Sequence, residues 1–362
     1  MPILYKYILK EIAKYFTIVL AAVMGVYLMV DFFEKVDNFV SSGVETRKAV
    51  ALFIYNLPLI VTQVLPFALL LAVLVALGVM NRNNEIIALK SGGIGIIHLI
   101  KPVIAVSLLM TVVLFLLSET VIPITAPKAN RIWIQDIKKK DMTTTREKNI
   151  WIRDKRRIAH ITYYNAVKQT AFDVSLYFFD DRFNLIRRLD AETGVFEEEK
   201  WRLYNVVDQV RDPEDTAFRT RVYASKTEQL GLSPADLRRI SRKSEEMGFV
   251  ELYEYVEKMK ADEYDVTTLR VDLHAKAAFP FICVIMGLLG TGIGVRKSTR
   301  EGMPVGIAYG IGIAFLYWMF HSFSVSLGYG GLLPPVVAAW AADAVFLSWA
   351  IYFIIDSAFE GG

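Results

Sequence analysis

The chain alternates between long charge-free windows and one long stretch dense in charge. Residues 15–30 carry no charge, and 33 uncharged residues separate Lys48 from Arg82. Similar windows lie between Lys101 and Glu119, between Lys276 and Arg296, and between Glu301 and Asp343. About 20 mostly apolar residues carry a helix across a bilayer's hydrocarbon core. The last window holds 41 uncharged residues, too many for one crossing. The Gly328-Tyr329-Gly330-Gly331 and Pro334-Pro335 cluster divides it, which predicts a fifth span near 304–327 and a sixth near 335–355. Six spans follow. Residues 3–14 read as an interfacial elbow, with Ile3, Leu4, Ile8 and Ile12 near one face and Lys6, Lys10 and Lys14 on another. No small-x-small site follows the first window, which argues against a cleavable signal peptide.

Composition explains the contrast. Hydrophobic residues make up 54% of the 362 and charged residues 22%, so the charge must be concentrated somewhere. Residues 128–276 hold 56 of the 79 Asp, Glu, Lys and Arg, which marks a polar domain inserted between the third and fourth spans. Within 148–224 apolar and polar residues alternate at 149–153, 157–164, 174–179, 201–207 and 219–223, the signature of half-buried strands. Asp180-Asp181 and Asp212-Pro213 read as turns, and Glu197–Lys200 as a solvated turn. Six or more short strands predict a sandwich or jelly roll. Beyond it, Ser233 and Pro234 suit a helix start. Leu237, Ile240, Met247, Leu252, Tyr255, Val256 and Met259 then form a helical apolar stripe. The expected fold is an α-helical membrane protein with six transmembrane helices (3+3) and an inserted all-β, jelly-roll-like domain. Its parts are 1–127, with a short helix at about 83–93, then 128–265 and 266–362.

Lys and Arg in short loops orient the spans. Lys6, Lys10 and Lys14, then Arg82, Lys90 and Lys101, then Arg296, Lys297 and Arg300 fall on one side, expected to be cytoplasmic. Both termini then lie in the cytoplasm and the polar domain outside. The net charge of +3 gives no reason to expect nucleic acid. Cys283 is the only cysteine, so disulfides and cysteine metal sites are excluded. Gly292–Ser298 nearly spells a phosphate-binding loop, but Arg296 stands where its second glycine belongs. No ATP- or metal-binding motif is present, so no cofactor is expected in this chain.

Three features remain. The segment from Asn81 to Ile94 reads as a two-turn helix. Asn83 or Asn84 would cap it, Glu85 would sit at its positive end, and Gly92 or Gly93 would end it. Glu85, Ala88 and Leu89 share one face. Such a helix between two spans is either an ordinary capped loop or a lever that docks a separate motor protein. Gly290 with Gly294, and Gly306 with Gly310, are two G-x-x-x-G pairs, expected to pack helices closely within the bundle or against a partner. His321 and Asp343 are ionisable groups at matching depth on spans five and six. They are expected to form an interhelix bond, with gating or intramembrane hydrolysis as sharper roles. A scaffold whose β domain binds a periplasmic partner is a further class.

Several stretches carry a resemblance. They are Val30-Asp31 through Val36-Asp37-Asn38, Leu57-Pro58 through Leu65-Pro66, and Ala76-Leu77-Gly78. They continue with Asn84 through Gly93, Leu327-Gly328-Tyr329 through Leu333-Pro334-Pro335, and Ala338-Ala339-Trp340. In this order the chain resembles the YjgP/YjgQ family of lipopolysaccharide-export permeases over nearly its whole length, and its LptG branch more than the sister LptF branch. The resemblance implies an inner-membrane ABC exporter of a Gram-negative bacterium. An LptF-like permease would complete the pore, and an LptB-like ATPase dimer would bind ATP and Mg²⁺. An LptC-like single-span regulator and an LptA-like periplasmic bridge would complete the pathway. Lipopolysaccharide would be the cargo and membrane lipids the surroundings. It implies that Asn84, Glu85, Ile86, Ala88, Leu89 and Gly92 form the ATPase-coupling segment. It also implies that spans one and five meet lipid, with Lys35, Ile311 and Phe315 as candidate contacts.

Overall fold

The computed structural model describes residues 2–137, 150–154, 156–165, 169–180, 182–197, 200–212, 218–228, 244–261, 265–295 and 303–359. The expected helix start at Ser233-Pro234 with Leu237 and Ile240, and the basic trio Arg296, Lys297 and Arg300, lie outside these residues. So do Asn149, Asp181, Glu198, Glu199 and Pro213. The chain divides into two compact units. One comprises Met1–Asn130, Gly248–Val250 and Thr267–Gly362; the other comprises Arg131–Met247 and Glu251–Val266.

In the first unit, six helices among the described residues are long and apolar enough to cross a membrane. They are Ile3–Ser42, Thr46–Arg82, Ile97–Ile132, Thr267–Gly294, Pro304–Tyr329 and Pro335–Ser357. In chain order the helices are α1 (Pro2–Ser42), α2 (Thr46–Arg82), α3 (Glu85–Ser91), α4 (Ile97–Leu116) and α5 (Ile122–Ile132). After the strands come α6 (Phe249–Ala261), α7 (Thr267–Ala278), α8 (Ile282–Gly294), α9 (Met303–Tyr329) and α10 (Pro335–Phe359).

The expected elbow at 3–14 is not a separate element, because α1 runs without a break to Ser42. Its amphipathic face is real, with Ile8 and Ile12 fully buried and Ile3 exposed. Nothing between Pro2 and Ser42 removes a backbone donor, so the helix continues into the apolar run. Span three, by contrast, contains a π-helical turn at Leu117–Val121, where Ile122 N–H bonds the Leu117 carbonyl five residues back. Pro123 follows directly. In an α-helix its ring would press on the carbonyl four residues earlier, that of Glu119, and the wider turn relieves this clash. The helix therefore runs on past Glu119, where the charge pattern had placed the end of the span.

Span four is the hub of the bundle. An added Cβ on Gly290 would lie 2.8 Å from the Leu70 carbonyl, and one on Gly294 would lie 3.0 Å from Leu77 Cβ. One on Gly292 would lie 2.7 Å from Phe353 Cβ, and one on Gly287 would collide with Ser107 Oγ. Four glycines thus bring spans two, three and six against one helix. Gly310 of span five does the same against Leu71 and Leu74, and Gly306 beside it is buried. Without cohesion from water, close backbone approach supplies much of the packing in a bilayer. The near-phosphate-loop glycine at 292 is thereby accounted for as packing.

The second unit contains one six-stranded antiparallel sheet among the described residues. Its strands are β1 (Ile150–Asp154), β2 (Arg157–Asn165), β3 (Thr170–Phe179), β4 (Leu185–Glu197), β5 (Lys200–Arg211) and β6 (Phe218–Glu228). Each pairs with its sequence neighbour, in the order β1 to β6. The described strands are therefore an up-and-down meander, not the jelly roll or sandwich that was expected. Tight reversals decide this. Asp180 Oδ1, for example, accepts from the backbone N–H of Arg182 and Asn184 and turns β3 back along β4. A jelly roll needs strands paired across long connections.

The alternation breaks along one transverse line. In β3 the buried positions are Ala171, then Val174 and Leu176; in β4 they are Leu189 and Ala191, then Gly194; in β5 they are Trp201 and Leu203, then Val206 and Asp208. The three-residue steps coincide with Asp173, Glu192 and Asn205, where ladder pairing is skipped without net register change. Asp173 and Asn205 have φ of 49° and 52°, a left-handed conformation that these side chains tolerate better than most. Trp201 of β5 meets the Tyr164 ring of β2 at 6.2 Å. Flat strands three apart would be about 14 Å apart, so the sheet curls toward its buried face. Gly194 makes room, since a Cβ there would lie 2.8 Å from Leu203 and 3.4 Å from Trp201.

At the rim, Asp208 is only 4% exposed. It accepts from Arg187 Nε at 2.8 Å and from Lys226 Nζ at 2.6 Å. Arg187 also reaches Glu228. Burial pushes the Asp208 carboxyl up, but the hydrogen bonds from Arg187 and Lys226 outweigh it and hold it below the ordinary carboxylate value.

Candidate coupling site and interhelix contacts

The short helix α3 is built by its ends. Asn84 stands before it in the left-handed conformation, with φ 62°, and its carbonyl accepts from Ala88 N–H at 2.9 Å. The expected side-chain cap is not made; Asn84 contributes its backbone, and Asn83 Nδ2 instead donates to Glu85 Oε1 at 3.3 Å. At the other end Gly93 has φ 79°. Gly93 N–H bonds the Lys90 carbonyl and Ile94 N–H the Leu89 carbonyl. This double bond pattern is a Schellman stop, which favours glycine at the left-handed position. Gly93 therefore ends the helix, and Gly92 precedes it as the cap.

Burial sets the outward face. Ile86 is 1% exposed and belongs to the apolar cluster that also holds Ile8, Ile12, Met80 and Leu99. Leu89 is half-buried against the same cluster. Ile86 was expected to face a partner, and a residue sunk in the bundle does not. It anchors the helix instead. The face left open comprises Asn84, Ile87, Ala88 and Ser91, with Gly92 beyond them. Ile87, at 41% exposure, went unrecognised. The only sequence signal for it was that two adjacent isoleucines on a short helix cannot both point inward. Glu85 is half-buried, and Tyr7 OH of α1 donates to its Oε2 at 3.0 Å.

Deeper in the bundle, His321 and Asp343 do not hydrogen-bond to each other. Tyr317 stands between them, its OH donating to Asp343 Oδ1 at 2.7 Å and its ring stacking on His321 at 5.8 Å. Spans five and six are thus joined by a buried tyrosine–carboxylate bond. Asp343 Oδ2 and His321 Nδ1 lie buried, with no hydrogen-bond partner among the described residues. Tyr317 was missed because it is one of three tyrosines in an apolar helix and no pattern distinguishes it from Tyr309 or Tyr329.

The candidate lipid contacts differ in setting. Ile311 and Phe315 are exposed, at 55% and 68%, and Met319 and Phe323 extend the same stripe at four-residue steps. Lys35 is paired with Asp31 one turn earlier on α1 and lies 5.9 Å from the Phe53 ring.

Six membrane-length helices together with an antiparallel β unit, among the described residues, define a multi-pass membrane protein that carries a β domain. The chain belongs to the family of the lipopolysaccharide export system permease LptF/LptG, whose model matches residues 6–356. It is 22% identical to the lipopolysaccharide export system permease protein LptG of Haemophilus influenzae, covering 94% of this chain and 95% of that protein. It is 21% identical to LptG of Escherichia coli K12, covering 98% of each. With this family and six apolar helices, the chain is a multi-pass inner-membrane protein.

Proposed function

We propose that the chain is the LptG-type permease subunit of an ATP-driven exporter that takes lipopolysaccharide from the inner membrane and passes it to a periplasmic bridge. The names of the relatives favour LptG over LptF. The positive-inside pattern favours cytoplasmic termini, three spans on either side of the β unit, and a periplasmic β unit. An LptF-like sister completes the pore, and LptC-like and LptA-like proteins continue the path. ATP and Mg²⁺ belong to an LptB-like ATPase dimer, and this subunit is non-catalytic. Spans one and five face lipid through stripes such as Ile311 and Phe315. Lys35 meets a lipid phosphate only by sharing or leaving its Asp31 pair.

The observation that carries this reading is α3, an element of seven residues pinned by buried Ile86 that turns Ile87 and Ala88 outward. A rigid apolar ridge on an anchored helix is what a motor subunit can grip. The test is copurification of the ATPase with the tagged permease. The wild-type chain is expected to retain it, and Ile87→Asp to lose at least about tenfold, the equivalent of a buried contact worth about 1.4 kcal/mol. Failure of the wild type to hold any ATPase, or full retention by Ile87→Asp, overturns the reading.

A further inference from the structure

The Tyr7–Glu85 bond joins two elements 78 residues apart. Tyr7 lies two turns into α1, next to Ile8; Glu85 opens α3, next to Ile86. Ile8 and Ile86 are both fully buried in the same apolar cluster. Two adjacent pairs of positions therefore hold the start of α1 and the start of α3 in one place, one apolar and one polar. Both oxygens of the Glu85 carboxylate are engaged, Oε2 by Tyr7 and Oε1 by Asn83. A carboxylate that accepts a hydrogen bond at each of its two oxygens is fixed in direction. From that contact α1, 41 residues long in all, continues unbroken to Ser42, about 50 Å farther along the helix. At its far end lie the Asp31–Lys35 pair and exposed Met29, Val30 and Phe33.

We propose that Tyr7 is a positioning residue that makes α1 and α3 move together. A displacement that the ATPase imposes on the Ile87–Ala88 face is passed through Glu85 and Tyr7 to span one, and along it to the opposite side of the bundle. Ile86 holds α3 in the bundle; the hydroxyl of Tyr7 gives the movement a direction by tying it to one neighbouring helix. This inference rests on the exporter reading above.

The experiment uses the complete transporter in proteoliposomes loaded with lipopolysaccharide. It measures ATP hydrolysed and lipopolysaccharide released, and takes their ratio. Tyr7→Phe removes only the donating oxygen. It is expected to keep assembly and ATP hydrolysis within about twofold while lipid released per ATP falls about fivefold, the size of one hydrogen bond to a charged group at a half-exposed position. Tyr7→Lys, which restores a donor of similar reach, is expected to recover most of the ratio. A merely destabilised complex would lose both rates together and leave the ratio unchanged. An unchanged ratio in Tyr7→Phe, or both rates falling together without rescue by Tyr7→Lys, overturns the proposal and leaves the exporter reading intact. Absence of ATPase from the wild-type complex overturns both.

Discussion

At the scale of single residues, several polar groups take their partners from other elements of the fold. Asp208 is the clearest case. Its carboxylate sits between Arg187 on one neighbouring strand and Lys226 on the other. Because its folded value is depressed, its contribution is fully present above the ordinary carboxylate value of 3.8 and disappears as pH falls through the lower folded value. The β unit of the intact chain is therefore expected to lose stability on the acid side below about pH 4, and Asp208→Asn is expected to flatten that part of the profile. Trp201 fluorescence against urea at stepped pH, in a chain whose other five tryptophans are replaced by Phe, reads this out; an unchanged acid limb in the variant contradicts it. Asp208→Ala is expected to cost about 2 kcal/mol. That is less than the loss for a fully buried pair, because Arg187 and Lys226 keep 23% and 28% of their side-chain exposure. Ile86→Ala is expected to cost about 2–4 kcal/mol of local packing and to free α3, seen as faster hydrogen exchange at 85–91 with exchange in α2 unchanged.

At the scale of elements, what was legible depended on how local the deciding force is. The six spans could be read because a bilayer demands long uncharged runs. The ends of α3 could be read because asparagine and glycine suit left-handed turns, although Asn84 uses its backbone where a side-chain cap was expected. The outward face of α3 could not be read. Seven residues offer too few positions for periodicity to separate an inward Ile86 from an outward Ile87. Strand β4 escaped notice because its buried positions step from Ala191 to Gly194, which breaks the period of two that identifies a strand. That break belongs to a crease shared by neighbouring strands, and no single strand announces it. Two substitutions test this level. Gly194→Val is expected to overpack the space under Trp201 and Leu203 and to cost about 1–3 kcal/mol; urea unfolding followed by Trp201 measures it. Gly290→Leu is expected to separate spans two and four and to lower the yield of folded protein in detergent, whereas Gly25→Leu, at a position where an added Cβ meets nothing within 4 Å among the described residues, is expected to be neutral.

At the scale of the molecule, the proposed orientation is open to a direct test. Cys283 is fully buried, so the native chain offers no reactive background. Leu332→Cys and Phe183→Cys, at sites 75% and 51% exposed, are expected to react with a membrane-impermeant maleimide in spheroplasts. Ala88→Cys, on the face proposed to dock the ATPase, is expected to react only after permeabilisation and removal of the bound ATPase. The reverse pattern would put α3 on the outside and remove the basis for docking an ATPase there.

The sequence alone determined the material of each part: which runs are apolar enough for a bilayer, which stretch is polar, and which glycines permit close approach. These are properties of a residue and its near neighbours, and solvent acts on them directly. The tertiary structure decided the partnerships: Tyr317 rather than His321 on Asp343, Tyr7 on Glu85, Ile86 inward and Ile87 outward, and a curled meander in place of a jelly roll. Each depends on which distant surface arrives to cover a side chain. Periodicity records that a face is covered, and only the folded chain selects what covers it.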